Sequence, residues 1–266
     1  MQTTDFYTEK NTVFCRALAE VPFLSHGFST RNGGTSALDF TKSLNLAYCR
    51  GDDDKTVNEN RRIFAANAGF DIGGLVLAEQ IHSTNVVTAD GGKKRYNGAD
   101  GFVTSVPGVF VAVKTADCQP ILFADPENRV VGACHAGWRG AAHGIAAKTV
   151  EKMISEGARA ENVIAALGPC IMPCCFEVRE DFIKELQSID GQLMKFITER
   201  GGHYADLPGI NKYFLLSSGI RPENIYVSGE CTCCDEEKYF SHRRDGSRRG
   251  TMMSVIGIKN KRSEPL

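Results

Sequence analysis

The chain turns from strand to helix at Gly132-Ala133-Cys134-His135-Ala136-Gly137-Trp138-Arg139-Gly140. Residues 129–133, which lead into this turn, are mostly apolar and β-branched and predict a buried strand. Behind it, Ala141–Gly157 carries apolar residues at helical spacing and predicts a helix. The N–H groups at a helix start favour an anion, and Arg139 adds positive charge there. The stretch therefore predicts a strand that delivers His135 to a pocket beside an anion-binding helix start.

A second corner lies upstream, at Thr115-Ala116-Asp117-Cys118-Gln119-Pro120. It separates two apolar runs, residues 109–113 and 120–124, which are typical of buried strands. Turn residues follow at Asp125–Asn128, so we expect 120–124 to pair with 129–134 as a hairpin. Cys118 and His135 then come to the ends of strands, where a fold presents reactive side chains to a pocket.

Strands and helices interleave along the chain without a regular strand-helix-strand alternation. This favours an α+β (mixed α/β) layered sandwich over a doubly wound sheet or a barrel. The other predicted strands are Thr12–Arg16, His26–Thr30, Leu75–Glu79, Asn85–Thr88, Gly101–Thr104, Val163–Leu167, Asn224–Val227 and Thr251–Lys259. The other predicted helices are Asp53–Asn67, Arg179–Ser188, Leu193–Arg200 and Asp206–Ser217.

Composition and length are those of a globular protein. With 266 residues, 42% of them hydrophobic, the chain can bury a full core. No linker-like tract or repeat divides it, so we expect residues 1–266 to form one domain. The net charge of −1 gives no bulk attraction to nucleic acid or to a membrane. Because the first residues show no targeting signal and no run is long and apolar enough to span a bilayer, we expect a cytoplasmic protein.

The ten cysteines are expected to be mostly reduced, buried thiols, because a reducing cytosol disfavours disulfides. Two clusters stand apart, Cys170–Cys175 and Cys231–Cys234. Together they lack the doubled C-x-x-C spacing of a zinc ribbon. A metal site and a disulfide between the clusters stay open as alternatives to buried thiols.

His82 joins Cys118 and His135 as a candidate ligand because it too follows a short apolar strand. Two imidazoles and one thiolate form a catalytic zinc set, which leaves a position for water or substrate. The separations of 36 and 17 residues match no local metal motif, so two alternatives stay open. Cys118 could be a nucleophile with His135 as its base, or each residue could be isolated in the core or on the surface.

A series of motifs, taken in order, resembles the YfiH-like family from about His26 to the C-terminus. This family carries the labels laccase domain, polyphenol oxidase and purine nucleoside phosphorylase. The pair formed by the second corner and the opening stretch is highly specific. The motifs include His26-Gly-Phe-Ser-Thr-Arg31-Asn-Gly-Gly34, Ser43-Leu-Asn45-Leu46, Asn60-Arg61, Gln80-Ile-His82, Ala116-Asp-Cys118-Gln-Pro120, His135-Ala-Gly-Trp-Arg-Gly140 and Phe240-Ser-His-Arg-Arg-Asp245.

The resemblance implies a sandwich of mixed sheets flanked by helices, distantly similar to the cytotoxic necrotizing factor type of toxin deamidase. It implies a zinc ion held by His82, Cys118 and His135, which are then also the catalytic residues. It further implies phosphate-dependent cleavage of adenosine, inosine and S-methyl-5'-thioadenosine, with adenosine deamination as a second activity. The expected partners are therefore a purine nucleoside and phosphate, and the expected assembly is a monomer or homodimer.

Other activities stay open beside this one. The same residues could serve a cysteine hydrolase or amidase that edits a cell-wall precursor, or a non-enzymatic nucleotide sensor. A four-copper laccase needs about ten imidazole ligands, and the six histidines of this chain exclude it. Copper in the three-ligand site, with polyphenol oxidase activity, remains a candidate because nitrogen-rich sites favour Cu(II) over Zn(II).

Four residues are predicted to bind substrate, each with a structural alternative. Arg31 lies beside Gly33-Gly34, whose N–H groups suit an anion, or is a solvated loop residue. Asn45 fixes the pocket or satisfies a turn. Arg61 lies on a predicted helix, where a solvated or ion-paired role is the alternative. Arg139 binds phosphate, or it caps and packs the helix start.

Other polar and aromatic residues are predicted to be structural. Asp117 should point away from Cys118 on an extended chain, so we expect it to support the site rather than react. Trp138 is expected in the core rather than stacked on a purine. The pairs Arg243-Arg244 and Arg248-Arg249 are expected to be solvated, with guidance of phosphate as the alternative.

Overall fold

The structure, a computed structural model, describes residues 5–260. Residues 1–4 and 261–266, which the single-domain prediction includes, lie outside the described residues. The strands are β1 Phe6–Glu9, β2 Thr12–Cys15, β3 Leu24–Ser29, β4 Leu75–Glu79, β5 Val86–Thr88, β6 Arg95–Asn97, β7 Gly101–Thr104, β8 Phe110–Thr115, β9 Gln119–Asp125, β10 Val130–Ala136, β11 Ile164–Leu167, β12 Glu177–Val178, β13 Ile197–Glu199, β14 His203–Ala205, β15 Ile225–Val227 and β16 Met252–Ile258. The α-helices are α1 Arg16–Ala19, α2 Asp54–Ala68, α3 Trp138–Ala142, α4 Ile145–Ser155, α5 Glu180–Ile189, α6 Leu207–Ser217 and α7 His242–Asp245.

Two large mixed sheets form the centre of the fold. One has the strand order β1-β2-β3-β16-β8-β4-β6, the other β15-β11-β9-β10-β7-β5, and a small sheet has the order β12-β14-β13. The predicted hairpin is confirmed, because β9 and β10 are antiparallel with Val130 opposite Asp125 and Ala136 opposite Gln119. The α+β class is therefore confirmed, with several mixed sheets and flanking helices.

Three apolar layers join the sheets and helices. Side chains from both large sheets, such as Val111 and Leu122, fill the space between them. Phe64 of α2 packs on the outer face of the seven-stranded sheet, and α4, α5 and α6 cover Phe123 on the outer face of the six-stranded sheet. Because both faces of β8, β9 and β10 are covered, these strands are continuous apolar runs rather than alternating ones. No helix between residues 5 and 260 has the length and apolar character needed to cross a membrane.

Two predicted helices differ from the structure. Ala141–Gly157 is divided into α3 and α4, because Gly144 has a left-handed backbone (φ 74°) that ends one helix before the next begins. The helix predicted at Leu193–Arg200 is wrong. A 3₁₀ helix, Gly191–Phe196, is followed there by β13, since the β-branched residues Ile197 and Thr198 pair with β14.

Several strands of the structure were missed, namely β1, β6 and the three strands of the small sheet. They are short, and β1 and β6 lie at the two edges of the seven-stranded sheet. The exposed Arg95 and Asn97 of β6 show no apolar alternation. These segments are extended because a neighbouring strand offers hydrogen bonds, which local sequence does not reveal.

His26 makes the stability of the fold depend on pH. The side chain is 3% exposed, and its Nε2 accepts a hydrogen bond from the Cys15 main-chain N–H at 3.0 Å. Burial, with a smaller contribution from Lys259, lowers the pKa of His26 from 6.5 to about 4. The neutral ring therefore stabilises the fold fully above pH 6.5, and that contribution is lost as the pH falls to about 4. The shift corresponds to about 3 kcal/mol of unfolding free energy.

We expect His26→Gln, which keeps an acceptor for Cys15, to lose about this much of the pH dependence between 6.5 and 4. Urea unfolding of both proteins across that range measures it. The comparison isolates His26, because all other titrating groups are common to both proteins. Parallel stability curves for the two proteins would contradict this assignment.

Candidate metal centre and adjoining cavities

Three loops bring His82, Cys118 and His135 to one end of the sandwich. His82 follows β4 of the seven-stranded sheet, Cys118 lies in the corner between β8 and β9, and His135 is near the end of β10. Because β8 and β9 belong to different sheets, the corner crosses from one sheet to the other. The ligand atoms of the three residues all lie within 4.8 Å of one another, with Cys118 Sγ 3.9 Å from His82 Nε2.

The backbone beside the ligand cluster adopts uncommon conformations. His82 and Asp117 both have positive φ values, 60° and 90°, which few non-glycine residues adopt. A Cβ placed on Gly137 would lie 2.7 Å from the His82 ring and 3.3 Å from Cys118 Sγ. Only glycine therefore leaves the space between the three ligand atoms clear.

Asp100 organises this cluster, and the sequence analysis missed it. Its buried carboxylate accepts hydrogen bonds from His135 Nδ1 at 2.8 Å, from Ser83 N and Oγ at 2.7 and 2.8 Å, and from the N–H groups of Ile81 and His82 at 3.2 and 3.1 Å. Since His135 donates through Nδ1, its Nε2 is the nitrogen left for a ligand. This is the carboxylate–histidine arrangement common around protein-bound metals.

The charges of the cluster depend on one another. Burial raises the pKa of the Cys118 thiol, but the His135 and His82 imidazoles outweigh it and lower the pKa to about 6. Burial also lowers the pKa of His135, but the Cys118 thiolate and Asp100 reverse this and raise it to about 9. Burial raises the pKa of Asp100, yet hydrogen bonds from His135 and Ser83 bring it to about 2. A thiolate and two imidazoles converging on one clear space suit a divalent, borderline-soft metal ion.

Asp117 supports the corner from behind, as predicted. Its carboxylate accepts hydrogen bonds from Thr232 Oγ1 at 2.7 Å, Ser241 Oγ at 3.0 Å and Arg243 N at 2.6 Å. These bonds tie the residue before Cys118 to the segment that precedes β16. Asp117 therefore fixes the backbone from which Cys118 projects.

Two cavities meet at the ligand cluster, and His82 and Cys118 line both. One, of about 420 Å³, has aromatic and aliphatic walls formed by Trp138, Phe176 and Leu207, and we call it the aromatic cavity. The other, of about 510 Å³, is the cationic cavity. Among the residues that the structure describes, its lining contains one carboxylate, Glu79, and four basic residues, Arg50, Arg95, Lys114 and Arg249.

The cationic cavity also holds two buried polar atoms that have no hydrogen-bond partner among the described residues. They are Arg249 Nε and Thr251 Oγ1, and Thr251 is 6% exposed. Burial, and then Arg50, lowers the pKa of Arg249. A bound anion would accept hydrogen bonds from these buried donors and would be attracted by the neighbouring positive charges.

The four predicted substrate residues lie in different places. Arg139 lines the aromatic cavity and stacks on Trp138, with its Cζ 4.1 Å from the ring centre. Arg61 binds the Leu46 carbonyl through Nε and Nη2, and lines a third cavity that adjoins the cationic one through Arg95 and Lys114. The structure thus brings Arg139 to the cluster and Arg61 to a neighbouring cavity.

The contacts of Arg31 and Asn45 favour structural roles. Arg31 donates to the carbonyls of Lys42 and Glu236, and it lines neither cavity at the cluster. Asn45 is fully buried. Its amide donates to Ala47 O and Asp52 Oδ2 and accepts from the N–H groups of Ala47 and Thr251, which occupies all its polar capacity. We therefore leave both out of the proposed substrate contacts.

The two arginine pairs, which were expected to be solvated, make defined contacts within the protein. Arg243 binds the carbonyls of Cys175 and Glu177, and Arg244 binds those of Thr232, Cys233 and Tyr239. Arg248 is exposed and stacks on Phe40, whereas Arg249 turns into the cationic cavity. Adjacent arginines thus have three different roles, which depend on which side of the chain each faces.

Known proteins are similar to this chain over most of its length. The family model described as multi-copper polyphenol oxidoreductase laccase matches residues 25–259. The purine nucleoside phosphorylase of Deinococcus radiodurans is 39% identical over 240 residues, 90% of this chain and 91% of that protein. The adenosine deaminase RL5 of an unknown prokaryotic organism is 32% identical over 86% of this chain and 92% of that protein.

Among solved structures, the hypothetical protein YfiH of Bacillus licheniformis has a TM-score of 0.89 and is 33% identical, over 97% of this chain and 100% of that one. The relatives named phosphorylase and deaminase are enzymes. The fold, the motifs and these relatives agree, and the chain belongs to the YfiH-like laccase-domain family of enzymes.

Proposed function

We propose that this enzyme is a zinc-dependent purine nucleoside phosphorylase acting on adenosine, inosine and S-methyl-5'-thioadenosine, with adenosine deaminase activity at the same site. The observation that carries the proposal is the position of His82, Cys118 and His135 between an aromatic cavity and a cationic one. Phosphorolysis needs both environments, one for a flat base and one for phosphate. The names of the relatives, a purine nucleoside phosphorylase and an adenosine deaminase, support both activities.

The metal would be held by Cys118 Sγ, His82 and His135 Nε2. Three protein ligands are typical of catalytic zinc, whereas structural zinc takes four. When bound, the ion supplies Lewis acidity to an oxygen of the substrate or of water. Asp100 keeps His135 in the tautomer that presents Nε2, and its bonds to the 81–83 loop hold His82 in place.

Phosphate would occupy the cationic cavity. Lys114 and Arg249 supply charge, and the unpaired Arg249 Nε and Thr251 Oγ1 supply hydrogen bonds. In phosphorolysis a phosphate oxygen forms a bond to ribose C1', the bond from C1' to the base nitrogen breaks, and the base leaves with a proton. Residues that hold phosphate beside the ribose lower the barrier by orienting this attack.

The purine would enter the aromatic cavity. Trp138 and Phe176 offer ring faces, and Leu207 closes one wall. Trp138 also packs against Phe182 with ring centres 5.1 Å apart, so it belongs to the core and to the cavity wall together. Arg139 and His242 supply polar groups at the same cavity.

Product analysis tests this function. The purified enzyme is incubated with adenosine, with and without phosphate, and hypoxanthine, adenine, inosine and ribose 1-phosphate are quantified, with bound metal measured on the same sample. We expect phosphate-dependent release of base, phosphate-independent formation of inosine, and bound zinc. Bound copper with oxidation of phenols, or tight nucleoside binding with no product, would overturn the proposal.

A metal-free cysteine hydrolase is the second candidate, favoured by the lowered pKa of Cys118 and its 3.9 Å approach to His82. In that reaction Cys118 Sγ would bond to the carbonyl carbon of an amide, the C–N bond would break as the amine left with a proton, and water would then hydrolyse the thioester, as in an enzyme that edits a cell-wall precursor. Chelation separates the two candidates. Activity that survives complete metal removal but is lost on alkylation of Cys118 supports the hydrolase and contradicts the phosphorylase.

Arg249→Gln is expected to separate phosphorolysis from deamination. The change removes a charged phosphate contact, so KM for phosphate should rise about 10- to 100-fold. Deamination uses no phosphate and should change little. Arg248→Gln is the matched control, because Arg248 is the exposed neighbour that stacks on Phe40. Equal losses of both activities in Arg249→Gln would show that Arg249 does not hold phosphate.

A further inference from the structure

The two cysteine clusters of the sequence meet in space, on the far side of Asp117 from Cys118. We propose that Cys174, Cys175, Cys231 and Cys234 bind a structural zinc ion through four thiolates. Their Sγ atoms all lie within 4.8 Å of one another, and Cys234 Sγ is 3.5 Å from Cys174 Sγ and 3.3 Å from Cys175 Sγ. The other six cysteines do not belong to this group.

The spacing of the sulfur atoms suits one ion. A zinc ion bonded to four thiolates at about 2.3 Å places the sulfurs about 3.8 Å apart, within the range observed here. All ten cysteines lie among the described residues and are free thiols. Cys231 and Cys234 also stand at C-x-x-C spacing, the usual spacing of one pair of zinc ligands.

Main-chain hydrogen bonds join the two cysteine-containing loops. Cys170 N–H donates to the Glu230 carbonyl at 3.3 Å, and Thr232 N–H donates to the Cys170 carbonyl at 3.0 Å. Met172 N–H points to Cys231 Sγ at 3.4 Å. The ligand positions are therefore fixed by main-chain pairing, which limits the entropy lost when an ion binds.

The four sulfur atoms lie close enough together that their charges interact strongly once they ionise. Four neighbouring thiolates repel one another, and a bound dication removes that repulsion.

The surroundings and connections of the cluster indicate a structural ion. Carboxylates of Asp235, Glu236 and Glu237 line the surface cavity outside Cys231 and Cys234, together with Glu230, which is paired with Lys238. With four protein ligands, no coordination position remains for a substrate. The ion would join the loop of Cys174 to the segment whose Thr232 and Ser241 hold Asp117.

Metal counting on the intact protein tests the proposal. Wild-type protein purified under reducing conditions should contain two zinc ions per chain. The double variant that carries both Cys175→Ser and Cys234→Ser should contain one. Cys118→Ala should also retain one, held at the four cysteines. Cys233→Ser is the matched control in the same loop and should retain both ions. A wild-type chain with one ion that Cys118→Ala loses would overturn the proposal.

Alkylation of the wild-type protein gives a second test that needs no variant. Iodoacetamide labelling is mapped by mass spectrometry before and after zinc is removed with a chelator. We expect Cys174 and Cys234, although exposed, to be labelled at least tenfold more slowly than exposed Cys49 until zinc is removed. Labelling at the rate of Cys49 before chelation, or a disulfide among the four cysteines, would contradict the site.

Discussion

Cys118→Ala is expected to lose both the metal of the three-ligand site and turnover of every nucleoside, by roughly 10³-fold or more. The thiolate is the one anionic ligand of the cluster, and its charge also holds the pKa of His135 at about 9. Without it, two imidazoles remain, a set too weak to retain zinc against competing ligands. Elemental analysis and steady-state kinetics with adenosine and phosphate measure both losses on one preparation.

Cys134→Ala is the matched control for Cys118→Ala. Cys134 is the neighbour of His135 but points to the opposite face of β10, where it packs in the helix-covered core. Burial raises its pKa to about 12, so it stays a thiol. This variant should lose some stability and keep metal and activity. A fully active Cys118→Ala protein would rule out both the metal centre and the cysteine hydrolase.

Asp100→Asn is expected to weaken metal binding by about 10- to 100-fold, although Asp100 is not itself a ligand. The carboxylate accepts bonds from the His135 ring, from the His82 and Ile81 main chain, and from Ser83. An amide of the same shape directs its NH₂ at some of these donors and leaves them unpaired. Each unpaired buried donor costs about 1–3 kcal/mol of stability as well. Competition with a chromophoric chelator measures the affinity, and urea unfolding measures the stability.

Asp125→Asn is the matched control that distinguishes a loss of zinc affinity from a loss of unfolding free energy. Asp125 is also a fully buried carboxylate, and it accepts bonds from Asn128, Glu127 and Arg159 at the other end of the β9–β10 hairpin. We expect this control to lose stability and keep the zinc affinity of the wild-type protein. If Asp100→Asn lost stability alone, Asp100 would be a folding residue without influence on the ligands.

The elements around the site were largely predictable from local pattern. The run of apolar residues at 120–124 and 129–134, with turn residues between them, specified the hairpin because both faces of these strands are buried. His82, Cys118 and His135 stood out because polar side chains follow apolar strands at all three positions. Their spacing alone left a metal, a nucleophile and isolated residues open and did not favour the metal, which the resemblance to a family selected.

Other features depended on contacts between segments far apart in sequence. Asp100 has no local signature beyond its place between Ala99 and the strand Gly101–Thr104, and its role depends on the loop 81–83 and on His135. Arg249 and Arg248 are indistinguishable in sequence, yet only Arg249 lines the cationic cavity. The sequence around Asn45 is compatible with a substrate contact, but its amide is fully hydrogen-bonded within the protein.

The residue pattern alone established the fold class, the central hairpin and the identity of the three candidate ligands, because side-chain periodicity and turn chemistry act over a few residues. Tertiary structure decided which side chains share a cavity, which arginine lines the cationic cavity, and that the two cysteine clusters converge. Those outcomes depend on distances of a few ångströms between segments far apart in sequence, such as the 60 residues that separate Cys174 from Cys234. The packing of whole sheets sets such distances, and no local pattern records them.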